Sequence, residues 1–175
     1  LSCPPMDAVV GLGSNLGDRR GLLVAAAEAL SARCVLTAAS SLYETAPIGP
    51  PQPAYLNAAL RVAFEGAARE LLETLLGIER RLGRLRREED LRWGPRAIDL
   101  DLLFIDGIAM DDAGLVVPHP RLHERRFALV PLLEVAPGAR HPLTLVPLHA
   151  WLAFLPDQGV RPVASPDWCG HVAPS

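Results

Sequence analysis

The chain has 175 residues, half of them hydrophobic, 21% charged and 5% aromatic, with a formal net charge of −3. That length suits a single domain, which at this size buries roughly 70% of its unfolded surface, and the acidic balance argues against a protein that coats nucleic acid. All seventeen basic residues are arginine, so P-loop, Schiff-base, pyridoxal-phosphate and Ser-Lys chemistry are excluded, and any anion is held by guanidinium, backbone N–H groups or a metal.

Ala8 to Leu12 is a short apolar run ending in a Gly/Ser/Asn loop, the pattern of a buried strand. Asp18 then stands as N-cap to an Ala- and Leu-rich stretch, predicting a helix from Arg19 to Ala32. Val35 to Thr45, rich in β-branched and small residues, predicts one strand. Residues 46–53 hold four prolines, which forbids helix or central strand and predicts a stiffened surface loop. Tyr55 to Phe64 predicts another strand, and Leu71, Leu72, Leu75, Ile78 and Leu82 mark a helix over Ala67 to Leu85. Ala97 to Ile105 predicts a strand closed by an Asp106-Gly107 turn. Short helices are expected at Phe127 to Val135, stopped by Pro137-Gly138, and at Leu148 to Leu155.

The order is β-α-β-β-α-β. It predicts an α+β, ferredoxin-like split βαβ fold, an antiparallel sheet with helices on one face. The domain is expected over 6–155. Residues 156–175 mix Pro, Gly, Asp and Ser without period and predict a poorly ordered tail, with no role for Trp168 or Cys169. Cys3, Cys34 and Cys169 lie far apart with no C-x-x-C pair, which predicts reduced thiols and a cytoplasmic protein. No apolar run approaches eighteen residues and residues 1–5 have no leader character, so neither a membrane span nor a signal peptide is expected.

The chemistry concentrates between Glu79 and Asp101. Seven arginines (80, 81, 84, 86, 87, 92 and 96) stand against Glu88, Glu89 and Asp90, a local excess of +4 over seventeen residues. Asp99 and Asp101 follow at once. On a strand, residues i and i+2 share a face with Cα atoms roughly 6.6 Å apart, so both carboxylates point one way while Leu100 and Leu102 take the core side. Two carboxylates beside clustered guanidiniums suit Mg²⁺ carrying a polyphosphate, since Mg²⁺ takes one or two carboxylates and completes its shell with phosphates and water. Taken alone, an Arg run is a solvated face and an Asp-x-Asp is common; their conjunction with the rigid Trp93-Gly94-Pro95-Arg96 turn points to phosphoryl chemistry.

The segment Arg92-Trp93-Gly94-Pro95-Arg96-Ala97-Ile98-Asp99-Leu100-Asp101-Leu102-Leu103 resembles the signature of hydroxymethyldihydropterin pyrophosphokinases, enzymes of folate biosynthesis. Gly11 to Asp18, Tyr43 to Pro47 with Tyr55 to Ala58, and Val117 to Pro120 with Arg125 to Phe127 resemble further family segments in the same order. The resemblance spans 8–139. It implies transfer of pyrophosphate from Mg-ATP to the hydroxymethyl oxygen of a dihydropterin, releasing AMP. It implies that Asp99 and Asp101 bind two Mg²⁺ ions and that Arg84 and Arg96 are catalytic. Glu79, Arg86, Arg92, Leu102, His119 and Arg125 would hold ATP. Tyr55 and Phe127 would sandwich the pterin ring, with Asn57, Thr45 and Ile48 reading its edge and Trp93 closing over it. The Gly11-Leu12-Gly13-Ser14-Asn15 run is Gly-rich but lacks the third Gly of a dinucleotide loop, and it is expected to shape the floor near the pterin. Departures are the acidic Glu88-Glu89-Asp90-Leu91 stretch, Leu76, Ala46 and Arg126. A monomer without nucleic-acid or membrane partners is expected. The rivals from other classes are a nucleotide-sensing domain of the same fold and a palm-type nucleotidyl transferase; the second calls for a long basic groove that this acidic chain lacks.

Overall fold

The structure is a computed structural model that describes residues 4–47, 49–83 and 97–173. Strand β1 (Met6–Ser14) lies between β4 (Tyr55–Phe64) and β5 (Asp99–Ile105) and is antiparallel to both. With β2 at Val35–Ala39, β3 at Leu42–Thr45 and β8 at Arg161–Ala164, the main sheet runs β5-β1-β4-β3-β8, and β2 is also paired to β4. Helix α1 (Arg19–Ser31) follows β1 and α2 (Ala68–Arg81) follows β4, and both pack on one face. This is the split βαβ arrangement expected from the element order.

Local chemistry explains most boundaries. Asp18 caps α1 by accepting from Gly21 N–H at 2.9 Å, and α1 buries Leu23, Ala26, Ala27 and Leu30. Helix α2 ends earlier than its periodicity predicts, at Arg81, because Gly83 adopts φ +104, a left-handed stop that glycine takes without strain. Leu71, Leu75 and Ile78 of α2 join Val10, Leu12, Leu60, Val62, Leu100 and Leu102 in the larger core.

Several expectations are corrected or refined. The strand expected over 35–45 is two, β2 (Val35–Ala39) and β3 (Leu42–Thr45). Ser40 breaks it: its hydroxyl accepts from Ala59 N–H at 2.9 Å and donates to Ser41 C=O at 2.7 Å, taking ladder positions a backbone group would hold. The helices are not all on one face. Helix α3 (Arg126–Val135) lies on the opposite side, where Leu129 and Leu132 cover Val9, Ala59, Leu103 and Phe104. The helix expected at 148–155 is a 3₁₀ segment, Leu148–Phe154. Asp106-Gly107 forms the expected turn after β5, and the chain continues into a separate pair, β6 (Met110–Asp112) and β7 (Leu115–Val117).

The stretch 156–173 is an ordered strap, not a loose tail. It adds β8 (Arg161–Ala164) to the β3 edge. It then buries Trp168, whose indole N–H donates to Ser40 C=O at 2.7 Å, and ends with Ala173 N–H on Leu36 C=O at 2.9 Å. One buried aromatic with its polar tip satisfied anchors a segment whose composition carries no period. Among the described residues, no helix is long and apolar enough to cross a membrane.

Candidate active site

The α3 face of the sheet is only half covered. Toward the ends of β1, β4 and β5 it opens into a cavity of about 230 Å³. Glycine alternation makes the floor: Gly11 pairs with Asp101 and Gly13 with Asp99 on one side, and Gly13 with Asn57 on the other. A Cβ on Gly13 would lie 2.8 Å from Asn57 Oδ1, and one on Gly11 would lie 2.9 Å from Leu103 Cδ1. The bare central strand therefore lets side chains of the two flanking strands lean over it. Those strands are two ladder spacings, roughly 9–10 Å, apart, which gives the cavity two unlike ends.

At one end, β4 presents Tyr55 and Asn57 to the cavity and α3 contributes Phe127. Asn57 Nδ2 donates to Thr45 Oγ1 at 2.7 Å, so the buried amide has a set orientation with Oδ1 turned toward the Gly13 floor as an acceptor. Tyr55 and Phe127 are both half-buried, each with a ring at the cavity wall. Asn15, itself buried, donates to Gln52 Oε1 at 2.8 Å and Pro53 C=O at 3.2 Å, pinning the end of the proline-rich loop, just before Tyr55, to the end of β1.

At the other end, Asp99 and Asp101 of β5 line the cavity with His119 and Arg125. A register shift in β5 opposite Val9/Val10 leaves Leu103 as an extra residue, and the two aspartates follow one face on its N-terminal side. Glu79 of α2, 1% exposed, accepts from Leu100 N–H at 2.7 Å, anchoring the edge strand between its two aspartates. The Arg125 guanidinium has its pKa lowered chiefly by burial, with the charges of Asp101 and Asp99 pulling the other way. Its carbon lies 5.8 Å from the Phe127 ring centre, which couples the two ends. His119 is held at about 4, first by burial and next by the Arg125 charge, against the opposing pull of Asp99. Its Nδ1 accepts from Arg121 N–H at 3.1 Å, so the neutral ring carries its proton on Nε2 as a donor.

Of the residues expected from sequence, Thr45, Tyr55, Asn57, Asp99, Asp101, His119, Arg125 and Phe127 come together around this one cavity. Glu79 and Leu102 do not line it. Glu79 accepts from the β5 backbone, and the Leu102 side chain lies in the α1–α2 core. Ile48, Arg84, Arg86, Arg92, Trp93 and Arg96 lie outside the described residues. Leu103, Ala46, Ala58 and Ala128 also line the cavity and carry no chemical signal in the sequence. The Gly11/Gly13 floor did carry one: glycines two apart on a strand empty one face of it. Two carboxylates fit a Mg²⁺ that draws its remaining ligands from phosphates and water; among the described residues, no larger His/Cys/Asp/Glu cluster suited to a metal occurs.

Comparison with known proteins adds an independent line. Residues 9–137 match the family model of 7,8-dihydro-6-hydroxymethylpterin-pyrophosphokinase. A 2-amino-4-hydroxy-6-hydroxymethyldihydropteridine pyrophosphokinase from Synechocystis sp. is 46% identical over 132 residues, covering 74% of this chain and 66% of that protein. One from Methylorubrum extorquens is 45% identical over 133 residues, covering 74% of this chain and 82% of its relative. A crystal structure of HPPK-DHPS in complex with substrates superposes with a TM-score of 0.66 at 12% identity, a likeness of fold; the match takes in 87% of this chain but only 43% of that one.

Proposed function

This chain belongs to the 7,8-dihydro-6-hydroxymethylpterin-pyrophosphokinase family, and from that premise we propose that it transfers pyrophosphate from Mg-ATP to 6-hydroxymethyl-7,8-dihydropterin in folate biosynthesis. One observation carries the reading: an aromatic-and-amide end and a two-carboxylate end face each other across the Gly11/Gly13 floor. The first suits a flat, polar heterocycle, held between the Tyr55 and Phe127 rings at low entropic cost with the Asn57 amide and Thr45 at its edge. The second suits a metal-bound triphosphate.

Asp99 and Asp101 are the residues that would hold Mg²⁺, two ions in this reading. When bound, the ions offset charge on the phosphates and bring the polyphosphate to the substrate oxygen. Arg125 supplies a permanent cation beside them, and His119 donates from Nε2 without adding a second charge. The pterin hydroxyl oxygen attacks the β-phosphorus. The new O–P bond forms as the bond from the β-phosphorus to the α–β bridging oxygen breaks, and AMP leaves with that oxygen while the hydroxyl proton passes to solvent. Positioning and electrostatics account for catalysis of this type, and no described side chain is assigned as general base. Arg84 and Arg96 as catalytic groups, Arg86 and Arg92 as ATP contacts, and Ile48 and Trp93 as pterin contacts rest on the family resemblance. A monomer acting in the cytoplasm is part of this reading, in keeping with the free thiols Cys34 and Cys169.

Phosphorus NMR of the protein with Mg-ATP and the dihydropterin tests the reaction. AMP together with a new pterin diphosphate signal is the expected result. ADP would mean ordinary kinase or hydrolase chemistry, and ATP bound without turnover would mean a nucleotide sensor; either overturns the proposal.

A further inference from the structure

Helix α3 begins badly capped. Its N-cap position is Arg125, whose side chain makes no capping hydrogen bond to the helix, although this end carries Arg125 and Phe127 to the cavity. Four N–H groups at a helix start need partners from elsewhere. The partner for Arg126 N–H comes from 32 residues downstream, at 2.9 Å: Gln158 Oε1. The same amide donates through Nε2 to Glu124 C=O at 3.0 Å. One side chain thus brackets Arg125, gripping the main chain on both sides of it as a neighbouring strand would.

Gln158 is itself firmly held. Asp157 Oδ1 accepts from Gly159 N–H at 2.8 Å and Gly159 takes φ +68, a tight turn with Gln158 at its middle. The strap then becomes β8, paired along β3 at Tyr43 and Glu44, next to Thr45. Residues 157–164 therefore join two cavity walls, the α3 start and the end of β3. They also lie beyond the 9–137 span that matches the family.

We propose that Gln158 is a positioning residue for the reaction, holding the Arg125–Phe127 segment in the shape that receives both substrates. The inference rests on the proposed roles of Arg125 toward ATP and Phe127 toward the pterin. Releasing the grip lowers the fraction of molecules in the receptive shape. Each ligand bound alone then pays the same population factor, while the fully loaded complex restores the shape.

The test is Q158A in the full chain, read three ways. Arg126 amide hydrogen exchange speeds up. Dissociation constants for Mg-bound α,β-methylene-ATP and for the dihydropterin, each measured alone, rise together by a common factor of about three to ten, as expected from losing two hydrogen bonds at one segment. At saturation kcat stays within about twofold. Q158E keeps the acceptor for Arg126 but not the donor for Glu124, so it restores Arg126 protection and gives intermediate dissociation constants. Unchanged dissociation constants overturn the inference, even if the thermal midpoint falls, because a purely structural residue does that. A rise confined to one ligand overturns it too. If the wild-type chain binds both ligands yet makes no AMP, the proposed reaction fails while the comparison of dissociation constants still decides the role of Gln158. A wild-type chain that binds neither overturns both.

Discussion

On the face covered by α1 and α2, strands β1, β4 and β5 present Leu12, Leu56 and Leu100, each at most 5% exposed. On the other face the intervening residues of the same strands are Gly13, Asn57, Asp99 and Asp101, and α3 stops short of covering them. The backbone is shared, so the contrast comes from strand alternation and from where a single helix ends. Tight packing on one side keeps the strands rigid, and that rigidity lets the other side carry a cavity with two carboxylates on one wall. The sealed face is a stability problem and the open face a recognition problem. Substitutions on the two faces should separate cleanly.

The largest effect belongs to the open face. D101A is expected to lower kcat/KM for pyrophosphate transfer by roughly a thousandfold, the scale of losing a preorganised charge at a transferring phosphate. Its thermal midpoint should move by less than about 4 °C, equivalent to about 1 kcal/mol at this size; a large loss of stability would put Asp101 on the structural side. Its neighbour gives the opposite result. Replacing Leu100 by Ala should destabilise the fold by about 2–5 kcal/mol in urea unfolding, since the side chain leaves a cavity in a packed core.

Cys34 sharpens the same contrast through pH. It packs against the sealed core, and burial lifts its thiol from 9.0 to about 11. The folded state therefore favours the protonated thiol. Its contribution to stability is complete below pH 9 and is lost as pH rises toward 11. At pH 8 the native thiol should react with iodoacetamide about a hundredfold more slowly than in urea, because two pKa units remove that much thiolate. Equal rates in the two states would show that the thiol is not buried.

The mildest change is G13A. Its new methyl would meet Asn57 Oδ1 at 2.8 Å, displacing an amide proposed to read the pterin edge. A rise of about tenfold in KM for the dihydropterin is expected, with little change for ATP, consistent with about 1.4 kcal/mol of lost binding. If both constants moved together, the two ends of the cavity would not be separate.

Periodicity and local chemistry make much of this molecule legible from residue order alone. Asp18 and its following apolar spacing specify α1; the pattern of 55–64 specifies β4 to the residue; the i, i+2 relation puts Asp99 and Asp101 on one face and Leu100 and Leu102 on the other. Each depends on neighbours within a turn or a strand, so the chain carries the information locally. The same reasoning misses Ser40 breaking a strand, because a serine hydroxyl enters the ladder only when β4 is beside it.

Long-range contacts decided the rest. The helix at 126–135 has an apolar stripe in sequence, yet nothing in that stripe says which face of the sheet it covers; Val9, Ala59, Leu103 and Phe104 do. The strap at 156–173 has no period at all, and its order comes from Trp168 meeting Ser40, 128 residues away, and from Gln158 closing the start of α3. Residue order alone carried α1, β4, the shared face of the two aspartates and the resemblance to the family, because those are properties of spacing and residue type. Long-range pairing alone places Gly11 and Gly13 between Asn57 and the aspartates, and puts Gln158 against the start of α3. Those relations exist only once distant segments share a boundary, and no local pattern encodes them.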